Sequence, residues 1–299
     1  MTHQFQIRLQ RVAYLIIFVF IVVFLWLQGA EPWQAAMARW QVMLGVMAVA
    51  PLALMVQAAA YRHCIPPNVP APSLTRMIRI WAIASITSYI APLVAGLAVR
   101  TTLLKQEGID IRTSSIATLR QTWINIDYAW ITASLLLVLY PWPQYPLVGY
   151  GLAGAWLILK LLRKHGPRSR LLKHPNVARL LERWPKQSLR AQPLLWGQIF
   201  IMGFNYWLAF NLGGASLSWH MSLLLASATI LASLVIFIPQ GIGVLDALWV
   251  WIASQQGLSL PEGVALALTM RFGFLFGAGL VWSLLSLRAI HFKTPFRKD

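Results

Sequence analysis

Apolar stretches follow one another along this chain, several of them approaching or exceeding the roughly 20 residues that cross a bilayer as a helix. No other feature constrains the fold as strongly, because a backbone inside hydrocarbon can bond only to itself or to other protein. Of the 299 residues 58% are hydrophobic and 11% charged, with fifteen tryptophans and a mean hydropathy of +0.63. That is too little charge to coat a soluble globule of this length. The expected fold is all-α: a polytopic integral membrane bundle of about 7–8 membrane segments, forming a single transmembrane domain over residues 1–299.

A net charge of +17 would suggest nucleic acid for a soluble protein. Here many of the basic residues fall in connecting segments, and no recognition helix or aromatic-basic module is present, so no nucleic acid is expected as a partner. The basic loop 163–190 holds nine Lys/Arg against the single Glu182, the strongest cytoplasmic signal in the chain. It reads first as a topology determinant touching anionic headgroups, and second as a docking site for lipid or protein. Cys64 is the only cysteine, which removes an intrachain disulfide and a cysteine-based zinc site. The six histidines show no metal-ligand spacing, so neither metal nor cofactor is expected.

Alternation of basic flanks orders the segments. Val12–Leu27 follows Arg8 and Arg11 and reads as a retained first span with its N-terminus in the cytoplasm. Trp40–Tyr61 returns to Arg62 and a proline-rich connection. Residues 101–122, polar and charged, are expected along the cytoplasmic interface. Trp123–Tyr140 goes out and Leu147–Leu162 comes back, then Pro193–Leu212 goes out and Trp219–Ile238 returns. Gly263–Leu287 ends in a basic, cytoplasmic C-terminus. Trp40, Tyr61, Trp123, Tyr140 and Trp219, near predicted span ends, fit an interfacial belt.

Two stretches resist this scheme. Trp81–Val99 is apolar but basic on both flanks, which points to a re-entrant segment over about 81–99 turning near Pro92 and Gly96, or to two short broken helices. Phe237–Asp246 places Pro239, Gly241, Gly243 and Asp246 close together, within a second interrupted segment over about 236–255. Proline lacks a donor and glycine lets the chain reverse, so both stretches break a helix where only surrounding protein or a water-filled cavity tolerates the break. The shared Pro-x-x-x-Gly spacing, Pro92 to Gly96 and Pro239 to Gly243, suggests an inverted repeat with its site between the halves, with chance similarity as the competing account.

Charges inside apolar spans are costly and tend to face a bundle interior. Of eight acidic residues, only Asp127 and Asp246 lie within hydrophobic stretches, and Arg271 lies midway through the last one. The expected pairing is Asp246 with Arg271, and Arg100 with Asp127 as a second cluster. These four either fix helix registry as buried ion pairs or line a groove for a lipid headgroup, with Arg100 and Arg271 attracting phosphate. A half-helix starting near Gly243 would add amide donors. Gln198, Asn205 and Asn211 could extend the polar lining or bond between helices. No nucleophile–base constellation, phosphate-binding loop or acidic metal site is seen, so catalysis is not expected.

The stretch Pro239-Gln-Gly241-Ile-Gly243-Val-Leu-Asp246-Ala247, followed by a last span containing Arg271, resembles the signature Pro-Gly-Gly-Leu-Gly-x-x-Glu-Ala of the flippase-like lysylphosphatidylglycerol synthetase transmembrane-domain family. Pro92-x-x-x-Gly96-x-x-x-Arg100 is similar to its Pro-x-x-x-Gly-Glu-x-x-Arg motif. The chain departs from the pattern at Leu97, where the family usually has an acid, at Gln240, and at Trp123-Ile124, where a Glu-Arg pair is expected. Asp246 stands for the usual Glu.

The resemblance implies translocation of a phospholipid, glycolipid or isoprenoid-type lipid across the bacterial cytoplasmic (inner) membrane, with an anionic phospholipid or lipid-linked headgroup as partner. No synthetase domain is attached to this sequence, so aminoacylation is not expected. Two rival expectations are a non-transporting scaffold for a membrane partner enzyme, docked through 163–190, and a membrane-embedded transferase acting on lipid-linked substrates.

Overall fold

The computed structural model describes residues 38–90, 94–140, 147–165, 191–232 and 244–291. Over these the chain forms nine helices and no strand. They are α1 (Trp40–Cys64), α2 (Leu74–Ile90), α3 (Val94–Gln106), α4 (Ile111–Leu139), α5 (Val148–His165), α6 (Gln192–Leu212), α7 (Trp219–Ala232), α8 (Val244–Gln255) and α9 (Leu260–His291). The expected first span Val12–Leu27, the break residues Pro92, Pro239, Gly241 and Gly243, and most of the basic loop 163–190 lie outside the described residues.

Three helices are long and apolar enough to cross a membrane, over Trp40–Cys64, Ile111–Leu139 and Leu260–Leu287, and shorter apolar helices accompany them. Large apolar side chains cover much of the exterior, among them Leu52 on α1, Leu135 on α4, Phe204 on α6, Trp251 on α8 and Phe276 on α9, each more than a third exposed. With the interior equally apolar, the protein is a multi-pass membrane protein with lipid as its outer solvent.

Helix α1 is the hub, packing on α9, α6, α2 and α4. In lipid, association relies on close packing rather than on hydrophobic exclusion, and α1 and α9 approach closely at Gly273 and Gly277. Pro51 has no N–H, so the Met47 carbonyl lacks its usual intrahelical donor. Gly277 packs against that carbonyl; a Cβ there would stand 2.8 Å from the Met47 oxygen and 2.6 Å from the Ala50 Cβ.

The ends of the helices sort into two groups. Arg39 before α1 bonds the Gly213 carbonyl after α6 and pairs with Glu262 at the start of α9, while Tyr140 after α4 stacks on His220 at the start of α7. At the opposite end, Cys64 of α1 accepts from Arg120 of α4, and a core joins Ile65, Met77, Leu104, Ile109, Ala191 and Leu195. Loops predicted to share a side from the basic flanks therefore share an end.

α2, α3, α7 and α8 are the shortest helices among the described residues, with 17, 13, 14 and 12 residues. At about 1.5 Å per residue each described length falls short of a hydrocarbon core of roughly 30 Å. α2 and α3 pack antiparallel, with Arg76 at the start of α2 bonded to Glu107 just past α3 at 2.8 Å, so this pair opens at the Cys64 end. α7 begins and α8 ends at the Arg39 end, so the second pair opens the opposite way.

The stretch 101–122, expected along the cytoplasmic interface, finishes α3, turns, and supplies the first three turns of α4, which runs unbroken from Ile111 to Leu139. Asp110 caps that helix by accepting the Thr113 amide at 3.0 Å. Three polar side chains of this stretch, Ser114, Arg120 and Gln121, are buried inside the bundle, while Lys105, Asp110, Arg112 and Ser115 stay exposed.

Candidate functional site

The ends of α2 and α8 that adjoin the two interruptions meet in the middle of the bundle. Asp246, in the first turn of α8, accepts from Arg271 of α9 in a bidentate pair, Nε to Oδ1 at 2.6 Å and Nη2 to Oδ2 at 2.9 Å. This is the pairing expected from the sequence. The arginine side chain is 13% exposed and the aspartate 28%, so the pair is sheltered but not sealed.

Aromatic faces fix the guanidinium independently of the carboxylate. Its Cζ lies 5.3 Å from the centroid of Trp249 on α8 and 5.9 Å from that of Tyr89, one residue before the end of α2. Tyr89 also meets Phe274 of α9, and Tyr206 of α6 meets Trp249 while donating to Thr229 of α7 at 3.1 Å. Arg271 forms part of the wall of a cavity of about 180 Å³. Gln57 of α1, Ser85 of α2 and Asn205 of α6 also line it, and the buried Asn205 Oδ1 has no partner among the described residues.

Arg100 sits elsewhere and is held differently. Its Nη2 donates to Thr118 Oγ1 at 2.9 Å, and its Cζ lies 4.6 Å from the Trp81 centroid and 5.2 Å from that of Tyr61. These two rings form a tilted pair, 4.5 Å apart. Thr118 in turn donates to the Ser114 carbonyl, which also accepts from the Tyr61 hydroxyl at 2.9 Å. Both donors are spent on one acceptor, which leaves the Thr118 oxygen free to face the arginine.

The structure does not join Arg100 to Asp127. Asp127 lies nine residues beyond Thr118 on α4, about 13 Å along the axis. Among the described residues no carboxylate pairs with Arg100. Gly96 lies one turn before Arg100 at the tightest α2–α3 contact, where a Cβ would stand 2.6 Å from the Ala84 carbonyl and 1.7 Å from Ser88 Oγ. Only glycine fits there, which explains a glycine in the first interruption without any appeal to chain reversal.

Tyr61, an expected belt residue, is fully buried beneath Arg100, whereas Trp40, Tyr140 and Trp219 are exposed near helix ends. Sequence reasoning missed Tyr61, Trp81, Tyr89, Trp249 and Thr118 as site residues. The only available signal was their spacing: Tyr61 follows Gln57, and Tyr89 follows Trp81 and Ser85, at intervals of four that place them on shared helix faces. Of the three predicted lining amides, only Asn205 lines the cavity; Asn211 bonds the Trp207 and Leu217 carbonyls at the turn after α6, and Gln198 is buried away from the cavity wall.

The family model described as "Lysylphosphatidylglycerol synthase TM region" matches residues 12–282. No curated protein matches the chain, and no solved structure does.

Proposed function

We infer a lipid-handling function from one premise: the chain belongs to the lysylphosphatidylglycerol synthase TM region family, whose model spans residues 12–282. The protein moves the headgroup of a phosphate-bearing lipid, a phospholipid, glycolipid or isoprenoid-type lipid, past the junction of its two short-helix pairs. It acts in a cytoplasmic membrane with both termini on the cytoplasmic side, and it carries out no covalent chemistry.

The observation that carries this reading is the Arg271–Asp246 pair, whose arginine lines the cavity. A bidentate carboxylate presents to the guanidinium the same two-oxygen face that a phosphate presents. A headgroup phosphate can therefore replace Asp246 without reorganising Arg271, which Trp249 and Tyr89 hold from the side. When the phosphate leaves, Asp246 returns, and the arginine is never left as a bare charge in a low-dielectric interior.

The test is headgroup movement by purified protein in liposomes, measured with a labelled short-chain phosphatidylglycerol. Arg271→Ala and Asp246→Asn are expected to slow it strongly while the protein remains folded. If both variants move the headgroup as the wild type does, the assignment fails.

A further inference from the structure

We propose that Arg100 is a binding site for one phosphate group, separate from the Arg271–Asp246 pair and carried by the other short-helix pair. The inference rests on the lipid-handling reading for the source of that phosphate, a phospholipid headgroup, but it does not require transport.

A guanidinium presents five N–H donors and keeps its charge at any working pH. At Arg100 the protein uses one of them, on Thr118 Oγ1. Nε is buried without an acceptor, and no acid among the described residues neutralises the charge. The Trp81 and Tyr61 rings hold the cation in place, yet ring faces do not satisfy its in-plane donors. A fixed planar fork with open donors, set in a poorly polar wall, matches an oxyanion that can accept from two of them at once.

The contrast with Arg271 makes the site specific. There both carboxylate oxygens of Asp246 already fill the fork, so an anion must displace a side chain. At Arg100 nothing has to leave. Leu97, one turn earlier on α3 and 45% exposed, supplies no acid.

The site also adjoins the cavity. Ala53 and Gln57 of α1, with Ser85 and Tyr89 of α2, line the cavity, and the next positions on those same faces are Tyr61 and Trp81. The aromatic pair beneath Arg100 therefore closes the seam toward the end where α2 and α3 open. From Ala53 to Tyr61 is about 12 Å along α1, so the two arginines serve successive positions of a headgroup rather than one.

The experiment uses the full chain, purified in neutral detergent and stripped of lipid, and follows thermal unfolding with increasing dioctanoyl phosphatidylglycerol. Saturable stabilisation is expected from that lipid and none from dioctanoylglycerol, which lacks the phosphate. Arg100→Gln should weaken the apparent affinity at least about tenfold, whereas Arg76→Gln, at the exposed start of α2, should leave it within about threefold. Leu97→Glu, at an exposed position, places a carboxylate within reach of the fork and should weaken binding as Arg100→Gln does.

Stabilisation by inorganic phosphate at matched concentration, lost in Arg100→Gln, upholds the site and assigns it a free oxyanion instead of a headgroup. No difference between the two dioctanoyl compounds in the wild type overturns the proposal, as does Arg100→Gln binding like wild type. Should that variant not fold, the wild-type titration and Leu97→Glu decide. Transport failing in liposomes while this binding persists would count against the proposed function alone.

Discussion

Arg271 and Arg100 are both arginines set into the interior of a lipid-facing bundle, and the protein accommodates them by different means. Arg271 has a carboxylate on its fork and aromatic faces at its sides. Arg100 has the aromatic faces and one hydroxyl. Arg100 lies on the first short-helix pair, while Arg271 touches both, and the pairs open at opposite ends of the molecule. The difference teaches that the two pairs, alike in architecture, are unlike in electrostatics: one holds an ion pair, the other a cation that no carboxylate among the described residues neutralises.

The largest effect that could break this comparison is expected from Arg271→Ala. It removes the guanidinium from Asp246, whose side chain is only 28% exposed, so thermal unfolding should show a loss on the order of 1–3 kcal/mol. Headgroup movement should fall by more than about tenfold. Asp246→Asn should cost less stability, since the amide oxygen still accepts one bond. Equal stability losses for Arg271→Ala and Arg100→Ala would erase the distinction between the two sites.

Gly96→Ala comes next. The Ser88 hydroxyl can rotate away from a new methyl, but the Ala84 carbonyl belongs to the helix backbone and cannot. About 2 kcal/mol of destabilisation is expected, together with weaker anion binding at Arg100, because α2 and α3 would be forced apart. A neutral result in both measurements would show that the α2–α3 contact does not set the position of Arg100.

Arg76→Ala should be far milder, at most about 0.5 kcal/mol, since the Arg76 side chain is 63% exposed and its bond to Glu107 is well solvated. The helix contact, not the ion pair at its open end, should hold the pair together.

The smallest effect concerns pH at the α3–α4 turn. Hydrogen bonds from the Thr113 hydroxyl and amide hold the Asp110 carboxyl below its usual range. A carboxylate whose folded pKa is depressed stabilises the fold above its unfolded value of 3.8 and loses that contribution as pH falls through the lower folded value. Asp110→Asn, an equally good cap, should match the wild type at neutral pH and lack this acid-limb loss. An identical acid limb in both proteins would remove Asp110 from the account.

Much of the fold was legible because hydrocarbon imposes simple rules. Apolar runs gave α1, α6 and α9 nearly to the residue at several ends, and the alternation of basic flanks grouped the loops that the structure places together. Polarity was a less legible signal: within 101–122, Ser114, Thr118 and Arg120 bond to Tyr61, Arg100 and the Cys64 carbonyl inside the bundle, while Lys105, Asp110 and Arg112 stay exposed. The pairing of Asp246 with Arg271 could be anticipated since few charges compete within the spans. That of Asp127 with Arg100 could not be tested by the same count, because a cation can also be held by rings and a hydroxyl.

The sequence by itself determined that this chain is a helical membrane bundle, which of the described loops share an end, and that Asp246 and Arg271 need compensation. Each follows from local composition and the cost of an unpaired group in hydrocarbon. Only the tertiary structure decided that the ends of α2 and α8 beside the expected breaks both reach Arg271, that Tyr61 and Trp81 lie beneath Arg100, and that Asp127 does not reach it. Those outcomes depend on how helix faces are rotated and staggered against one another, and a pattern of period 3.6 names the faces of a helix without fixing which neighbour each one meets.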